Sequence, residues 1–196
     1  PPARVIHLAL QICDSLAEAH ERALIHRDIK PGNLLVYERA GVPDTVKVMD
    51  FGLVKSLRGP VVSAANVRVG TPLYMAPEVL LDPGRAGPRS DLYSLGAVLH
   101  WLATGKTLQQ SALTKGGGAG FGVPVDLERV IVRCTEADPA DRPESMTQLA
   151  EELRQCHDYG RWSAEQAREY WNEHGKRLSM VLSEPAAPGA DTLAAS

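Results

Sequence analysis

Val5, Leu8, Ala9, Ile12, Leu16 and Ala19 recur at steps of three and four, which sets them on one side of a core-facing helix running to about Ala23. The period then changes. Residues 34–38 and 45–49 are short runs rich in branched side chains, and Gly41, Pro43 and Asp44 between them predict a small hairpin with those three residues in its turn. Residues 53–75 hold no sustained period and are punctuated by Gly59, Pro60, Gly70 and Pro72, the pattern of a long functional loop. Helical spacing returns with Ser90 as an N-cap, a stretch over 91–104 that is apolar on most faces, and Gly105 as its stop, which predicts a helix in the middle of a domain. A Gly-rich connection over 115–122 leads to a helix with Val125, Leu127, Val130, Ile131 and Cys134 on one side. Ser145 with Gln148 forms a capping box ahead of the stripe Met146, Leu149, Leu153 and Cys156, and Ser163 with Gln166 forms another ahead of Ala167, Tyr170, Trp171, His174 and Leu178. The expected fold is mainly α with one small β-hairpin.

The chain has 196 residues, 44% hydrophobic and 23% charged. That is a globular composition, and a chain of this length buries about 70% of its unfolded surface. Lys+Arg number 21 against 24 Asp+Glu, a net charge of −3, and aromatic residues make up 5%, so a nucleic-acid surface of domain size is excluded. Cys13, Cys134 and Cys156 form no CxxC pair and have no His at ligand spacing. They point to a reducing, cytoplasmic setting without structural zinc. The longest apolar stretch, 92–103, is broken by Tyr93, Ser94 and His100 and is shorter than the ~20 residues a bilayer crossing needs, so no membrane span is expected within the chain. The opening Pro1-Pro2-Ala3-Arg4 has neither a starting Met nor a signal-peptide pattern, and the N-terminus is expected to be a cut one.

Polar residues bracket the hairpin where strand propensity would not place them. His26-Arg27-Asp28-Ile29-Lys30-Pro31-Gly32-Asn33 precedes it and Asp50-Phe51-Gly52 follows. Two short strands joined by a tight turn bring their outer ends together, so Asp28, Lys30, Asn33 and Asp50 can converge. Two acids, a cation and an amide at one spot suit phosphoryl transfer, which needs a hydroxyl positioned, magnesium held and phosphate charge neutralised. His7, His20 and His100 lie within helical patterns and read as surface or packing residues.

With those residues in place the sequence resembles the eukaryotic-type, bacterial-style serine/threonine protein kinase family. His26 to Asn33 matches its HRD catalytic loop, Asp50 to Gly52 its DFG motif and Ala76-Pro77-Glu78 its APE motif, all in family order. The likeness continues through Gly70-Thr71-Pro72-Leu73-Tyr74-Met75, Asp91, Gly96 and Asp141-Arg142-Pro143. It implies a kinase-like large (C-terminal) lobe over 1–157, a helical extension over 158–184 and an Ala/Pro-rich linker or tail over 185–196.

The same resemblance implies ATP as cosubstrate, Mg²⁺ as cofactor and a protein Ser or Thr hydroxyl as acceptor. Asp28 would align the hydroxyl proton, Lys30 would contact the γ-phosphate, and Asn33 and Asp50 would hold the metal. Lys30 and Thr71 resemble the serine/threonine rather than the tyrosine branch. Arg27 stands where relatives pair a cation with a phosphorylated loop residue, for which Ser56 and Ser63 are acceptors, while Val69 occupies the place of a Thr in many bacterial relatives. His26, Phe51, Gly52, Glu78, Asp91 and Arg142 are implied as structural posts, with Glu78 and Arg142 a buried ion pair and Asp91 an acceptor for catalytic-loop amides.

No Gly-rich phosphate loop precedes the first helix, and the small-lobe Lys and Glu have no counterpart in these residues. The chain is therefore expected to lack the small lobe, with that missing N-terminal lobe as its partner, and to be weakly active or inactive alone. The 104–123 region is expected to run through the Gly-rich connection without the further helix that relatives place there. A noncatalytic, pseudokinase-like scaffold or regulatory module is the alternative, and a receptor kinase continuing into a membrane span beyond Ser196 is a further one.

Overall fold

The computed structural model describes residues 1–51, 73–113 and 122–175 in full, and residues 114 and 176–183 by their backbone. Two compact units divide the chain, Pro1–Trp162 and Ser163–Ser196. In the first, α1 (Pro2–Glu21) leads through a 3₁₀ turn (Pro31–Asn33) into β1 (Leu34–Arg39) and β2 (Val42–Val48). After them come α2 (Pro77–Leu81), a 3₁₀ turn (Pro83–Arg85), α3 (Pro88–Thr104), α4 (Leu108–Thr114), α5 (Val125–Cys134), a 3₁₀ turn (Pro139–Asp141) and α6 (Met146–Arg154). The second unit holds α7 (Ala164–Ser183). At its start Ser163 Oγ accepts the Gln166 N–H at 3.2 Å and Gln166 Oε1 accepts the Ser163 N–H at 2.8 Å, the reciprocal cap expected there. Among the described residues no helix is long and apolar enough to cross a membrane.

The core sits where α1 packs on α6, α3 and β2, and where α3 packs on α5. Ile6, Leu16, Leu92, Leu95, Leu99, Leu127, Ile131, Met146 and Leu149 are enclosed almost completely, each contributing ~1.5–3 kcal/mol relative to an exposed position. α3 is buried on nearly every side from Ser90 to His100, as its apolar faces require. α3 comes close to α5 at Gly96, where a Cβ would stand 2.5 Å from the Cys134 Cβ. All three cysteines are free and buried. Burial pushes the Cys13 thiol up to about 12 and the Cys156 thiol up to about 11, so both are protonated packing groups.

Four local expectations are corrected. Pro43 and Asp44 lie in β2, and the hairpin turn is Ala40-Gly41, both left-handed at φ 49° and 81°, which is the type I′ geometry that suits strand twist. Pairs Tyr37–Thr45 and Arg39–Val42 leave Glu38 facing both Pro43 and Asp44, a β-bulge that a hairpin of two edge strands tolerates even with proline. α3 begins at Pro88 rather than after Ser90. Gly87 is its N-cap, and Ser90 Oγ accepts the Gly87 N–H at 3.2 Å from one turn inside.

A further helix, α4, does follow Gly105. Thr107 and Gln110 cap it reciprocally, with Thr107 N–H on Gln110 Oε1 at 2.9 Å and Gln110 N–H on Thr107 Oγ1 at 3.3 Å. The Thr-x-x-Gln spacing was the available signal. Finally, Val125 is exposed at the start of α5, and Cys156 is buried two residues beyond the end of α6 rather than on it.

Gly96→Ala should destabilise the fold by ~1–3 kcal/mol through overpacking against Cys134, read as a lower urea midpoint with unchanged slope. An unchanged midpoint would mean that α3 and α5 stand apart.

Candidate active site

The loop from α1 to β1 would wander without an anchor, and Asp91 in α3 provides one. Its carboxylate, 0% exposed, accepts the His26 N–H on Oδ2 and the Arg27 N–H on Oδ1, both at 2.9 Å. His20 Nε2, at the end of α1, lies 2.8 Å from Oδ2. Arg27 is thereby held at φ 69°, a left-handed conformation a non-glycine residue keeps only when its surroundings impose it. The spacing of the sequence had left His20 as a surface or packing residue, because nothing local links it to Asp91 71 positions away.

His26 joins the two ends of the hairpin. The Asp28 N–H reaches His26 Nδ1 at 3.3 Å, and His26 Nε2 lies 2.8 Å from the Met49 carbonyl. An amide can only donate, so Nδ1 is the acceptor and Nε2 carries the proton that Met49 O receives. The edge of the His26 ring meets Phe51 at 4.8 Å. Met49 N–H in turn donates to Asn33 O at 2.8 Å. Asp50 thus lies between two residues tied to the loop that leads from α1 to β1, at φ 59°, with an exposed carboxylate that makes no hydrogen bond among the described residues.

Asp28, Lys30 and Asn33 come together. Lys30 Nζ donates to Asp28 Oδ2 at 2.7 Å, and Asn33 Nδ2 donates to Asp28 O at 2.7 Å and to Oδ2 at 3.0 Å. The side chains of Lys30 and Asp28 are 45% and 40% exposed, so their ion pair is screened and worth ~0–1 kcal/mol. Its effect is orientation. Because Asn33 spends its amide N–H₂ on Asp28, its Oδ1 is left as an acceptor, and with the Asp50 carboxylate it offers hard oxygens of the kind Mg²⁺ takes. Among the described residues no group of three His, Cys, Asp or Glu could hold a metal. A site of one Asp and one Asn would need phosphate oxygens or water to complete it.

Glu78 and Arg142 meet in a bidentate pair, Nη1 to Oε1 and Nη2 to Oε2 at 2.8 Å each. Arg142 also donates to the carbonyls of Arg89, Glu136 and Ala137, its guanidinium lies 5.0 Å over the Tyr93 ring, and Ser90 Oγ donates to Glu78 at 2.9 Å. Burial pushes the Glu78 carboxyl up, but the hydrogen bonds from Arg142, its own backbone N–H and Ser90 outweigh it, so the net displacement is downward. Gly52, Ser56, Ser63, Val69 and Thr71 lie outside the described residues.

Comparison with known proteins identifies the family of the chain. The family model "Protein kinase domain" matches residues 1–171, and the chain belongs to the protein kinase family. It is 34% identical over 174 residues to the serine/threonine-protein kinase pkn3 of Myxococcus xanthus, covering 77% of this chain and 31% of that protein. It is 34% identical over 155 residues to the serine/threonine-protein kinase PknL of Mycobacterium tuberculosis, covering 72% of this chain and 38% of that protein. The chain therefore spans about a third of the length of these bacterial relatives. Its fold is similar to that in the crystal structure of Rad53 1-466 in complex with AMP-PNP, with a TM-score of 0.57 at 22% identity over 78% of this chain and 40% of that one.

Arg142→Ala should cost ~3–5 kcal/mol, because it strands Glu78 without its partner, whereas Asp28→Ala, at a half-exposed loop position, should leave the melting temperature almost unchanged. Equal losses in thermal melts would contradict that division. The depressed Glu78 carboxyl contributes stability that is complete above its ordinary pKa of 4.5 and is lost as pH falls through its lower folded value. The gap in unfolding free energy between wild type and Glu78→Gln should accordingly narrow on acidification below that point, as measured by urea titrations across pH.

Proposed function

We propose that the chain supplies the catalytic, substrate-side lobe of a serine/threonine protein kinase, over 1–157, which passes the γ-phosphate of ATP to a protein Ser or Thr hydroxyl. The observation that carries this reading is the orientation of Asp28: Lys30 and Asn33 both donate to one carboxylate oxygen, while the loop below is tied to α3 through Asp91. Oδ2 is thus taken, and Oδ1 remains to accept the proton of an incoming hydroxyl. The task of a carboxylate used in this way is to align the hydroxyl for in-line attack. Lys30, half-exposed beside it, can follow the transferring phosphoryl group and neutralise its charge.

Asn33 Oδ1 and Asp50 would hold Mg²⁺, which when bound supplies charge neutralisation at the phosphate oxygens. What this chain's own residues contribute is the fixed separation of those two donors, maintained by the Met49–Asn33 and Met49–His26 bonds. The names of the bacterial relatives and the position of Lys30 two residues after Asp28 support Ser or Thr over Tyr as acceptor. Free buried thiols suit a reducing compartment that contains ATP. Arg27 and the loop residues Ser63 and Thr71 are proposed to act in regulation or substrate contact. No Gly-rich phosphate loop stands among these 196 residues, so the chain alone should turn over far below the ~1–100 s⁻¹ of the class.

The test is phosphotransfer from radiolabelled ATP to a Ser/Thr-containing protein, by this chain alone and by the same chain fused behind a small lobe. Activity should require the fusion, and Asp28→Asn in the fusion should lower kcat by ~10²–10⁴. Wild-type turnover in Asp28→Asn would overturn the assignment of the base.

A further inference from the structure

The bulge in β2 is bound up with a buried charge that the catalytic reading does not use. Asp44 is 0% exposed and left-handed at φ 55°, a conformation that is strained for a non-glycine residue. Its carboxylate accepts Arg4 Nε on Oδ2 and Arg4 Nη2 on Oδ1, both at 2.8 Å, and Trp162 Nε1 on Oδ2 at 2.9 Å. Its carbonyl accepts Gln11 Nε2 at 2.8 Å, and Gln11 Oε1 accepts the Val46 N–H at 3.0 Å. The Arg4 guanidinium lies 6.0 Å from the Trp162 ring centroid. Strand β2 is thus fastened to α1 at two points, and to the last residue of the first unit at a third.

A fully desolvated carboxylate cannot move away from its donors without large cost. The bulge is therefore pinned, and with it the register of everything downstream in β2. Lys47 falls opposite Leu35 and Val48 opposite Leu34; one residue further, Met49 reaches Asn33, and Asp50 follows. A slip of one position would turn each side chain of β2 to the other face and carry Asp50 away from Asn33.

We propose that Asp44 is a positioning residue: held by Arg4, Gln11 and Trp162, it locks the hairpin register that sets the spacing of Asn33 and Asp50. The consequence for metal rests on the kinase reading above, whereas the consequence for register does not. Trp162 is the lever for the test, since Trp162→Phe keeps an aromatic ring at the position but removes the pyrrole part of the indole and with it the N–H that Asp44 accepts.

The experiment is amide hydrogen exchange followed by NMR on this chain, with Asp44→Asn, Trp162→Phe and, as a destabilised control, Gly96→Ala, each compared with the wild type after correction for global stability. In Asp44→Asn and Trp162→Phe the Met49 and Val46 amides should exchange at least about tenfold faster than global stability accounts for, and in Gly96→Ala they should not. Unchanged protection in Trp162→Phe, the variant that should stay folded, would overturn the proposal, as would an equal rise in Gly96→Ala. Broadening of the Asn33 side-chain amide signal by Mn²⁺ is the second readout. Its absence in the wild type would count against the metal assignment while leaving the exchange result to decide the register.

Discussion

A carboxylate without solvent must find its hydrogen bonds inside the protein, and Asp91 finds them on the backbone of a loop. By accepting the amides of His26 and Arg27 it converts a helix in the core into the foundation of the loop that carries Asp28. Every distance that matters around Asp28 descends from that attachment. The cost of burying the charge is offset by two amide donors and His20, and the same burial makes the contact rigid, because no water competes for it.

Among the described residues, three of the five non-glycine positions with left-handed backbone fall where such attachments impose them. Arg27 is held by Asp91, Asp50 lies between residues bound to His26 and Asn33, and Asp44 is clamped by Arg4 and Trp162. Each is a non-glycine residue in a conformation costing of order 1–3 kcal/mol. In each the neighbours over-determine the geometry. The buried Glu78–Arg142 pair belongs to a different level of the structure. It joins the start of α2 to the turn before α6, and its many carbonyl contacts suggest a support for the frame rather than for the reacting groups.

Much of this is legible in the amino-acid sequence. Apolar spacing located α1, α3, α5 and α6, and the HRD, DFG and APE lettering singled out Asp28, Asn33, Asp50 and Glu78. What escaped was whatever depended on partners far along the chain. Asp44 looked like a turn residue because Pro and Asp are turn formers, yet Arg4 and Trp162 draw it into a strand, 40 and 118 positions away respectively. His20 reads as a surface or packing residue from its spacing, and only the fold brings Asp91 against it. The α4 helix is the exception, since its Thr107-x-x-Gln110 cap was a local signal that the glycines beyond it obscured.

The amino-acid sequence by itself determined the family, the helical periods and the identity of the polar residues around the hairpin, because these rest on local spacing and on chemical type. The tertiary structure alone decided which oxygen of Asp28 is taken, where the hairpin turns, and that Met49, next to Asp50, is bonded to Asn33. Those outcomes follow from hydrogen bonds between segments remote in sequence, and folding has to bring such segments together before any of the bonds can form.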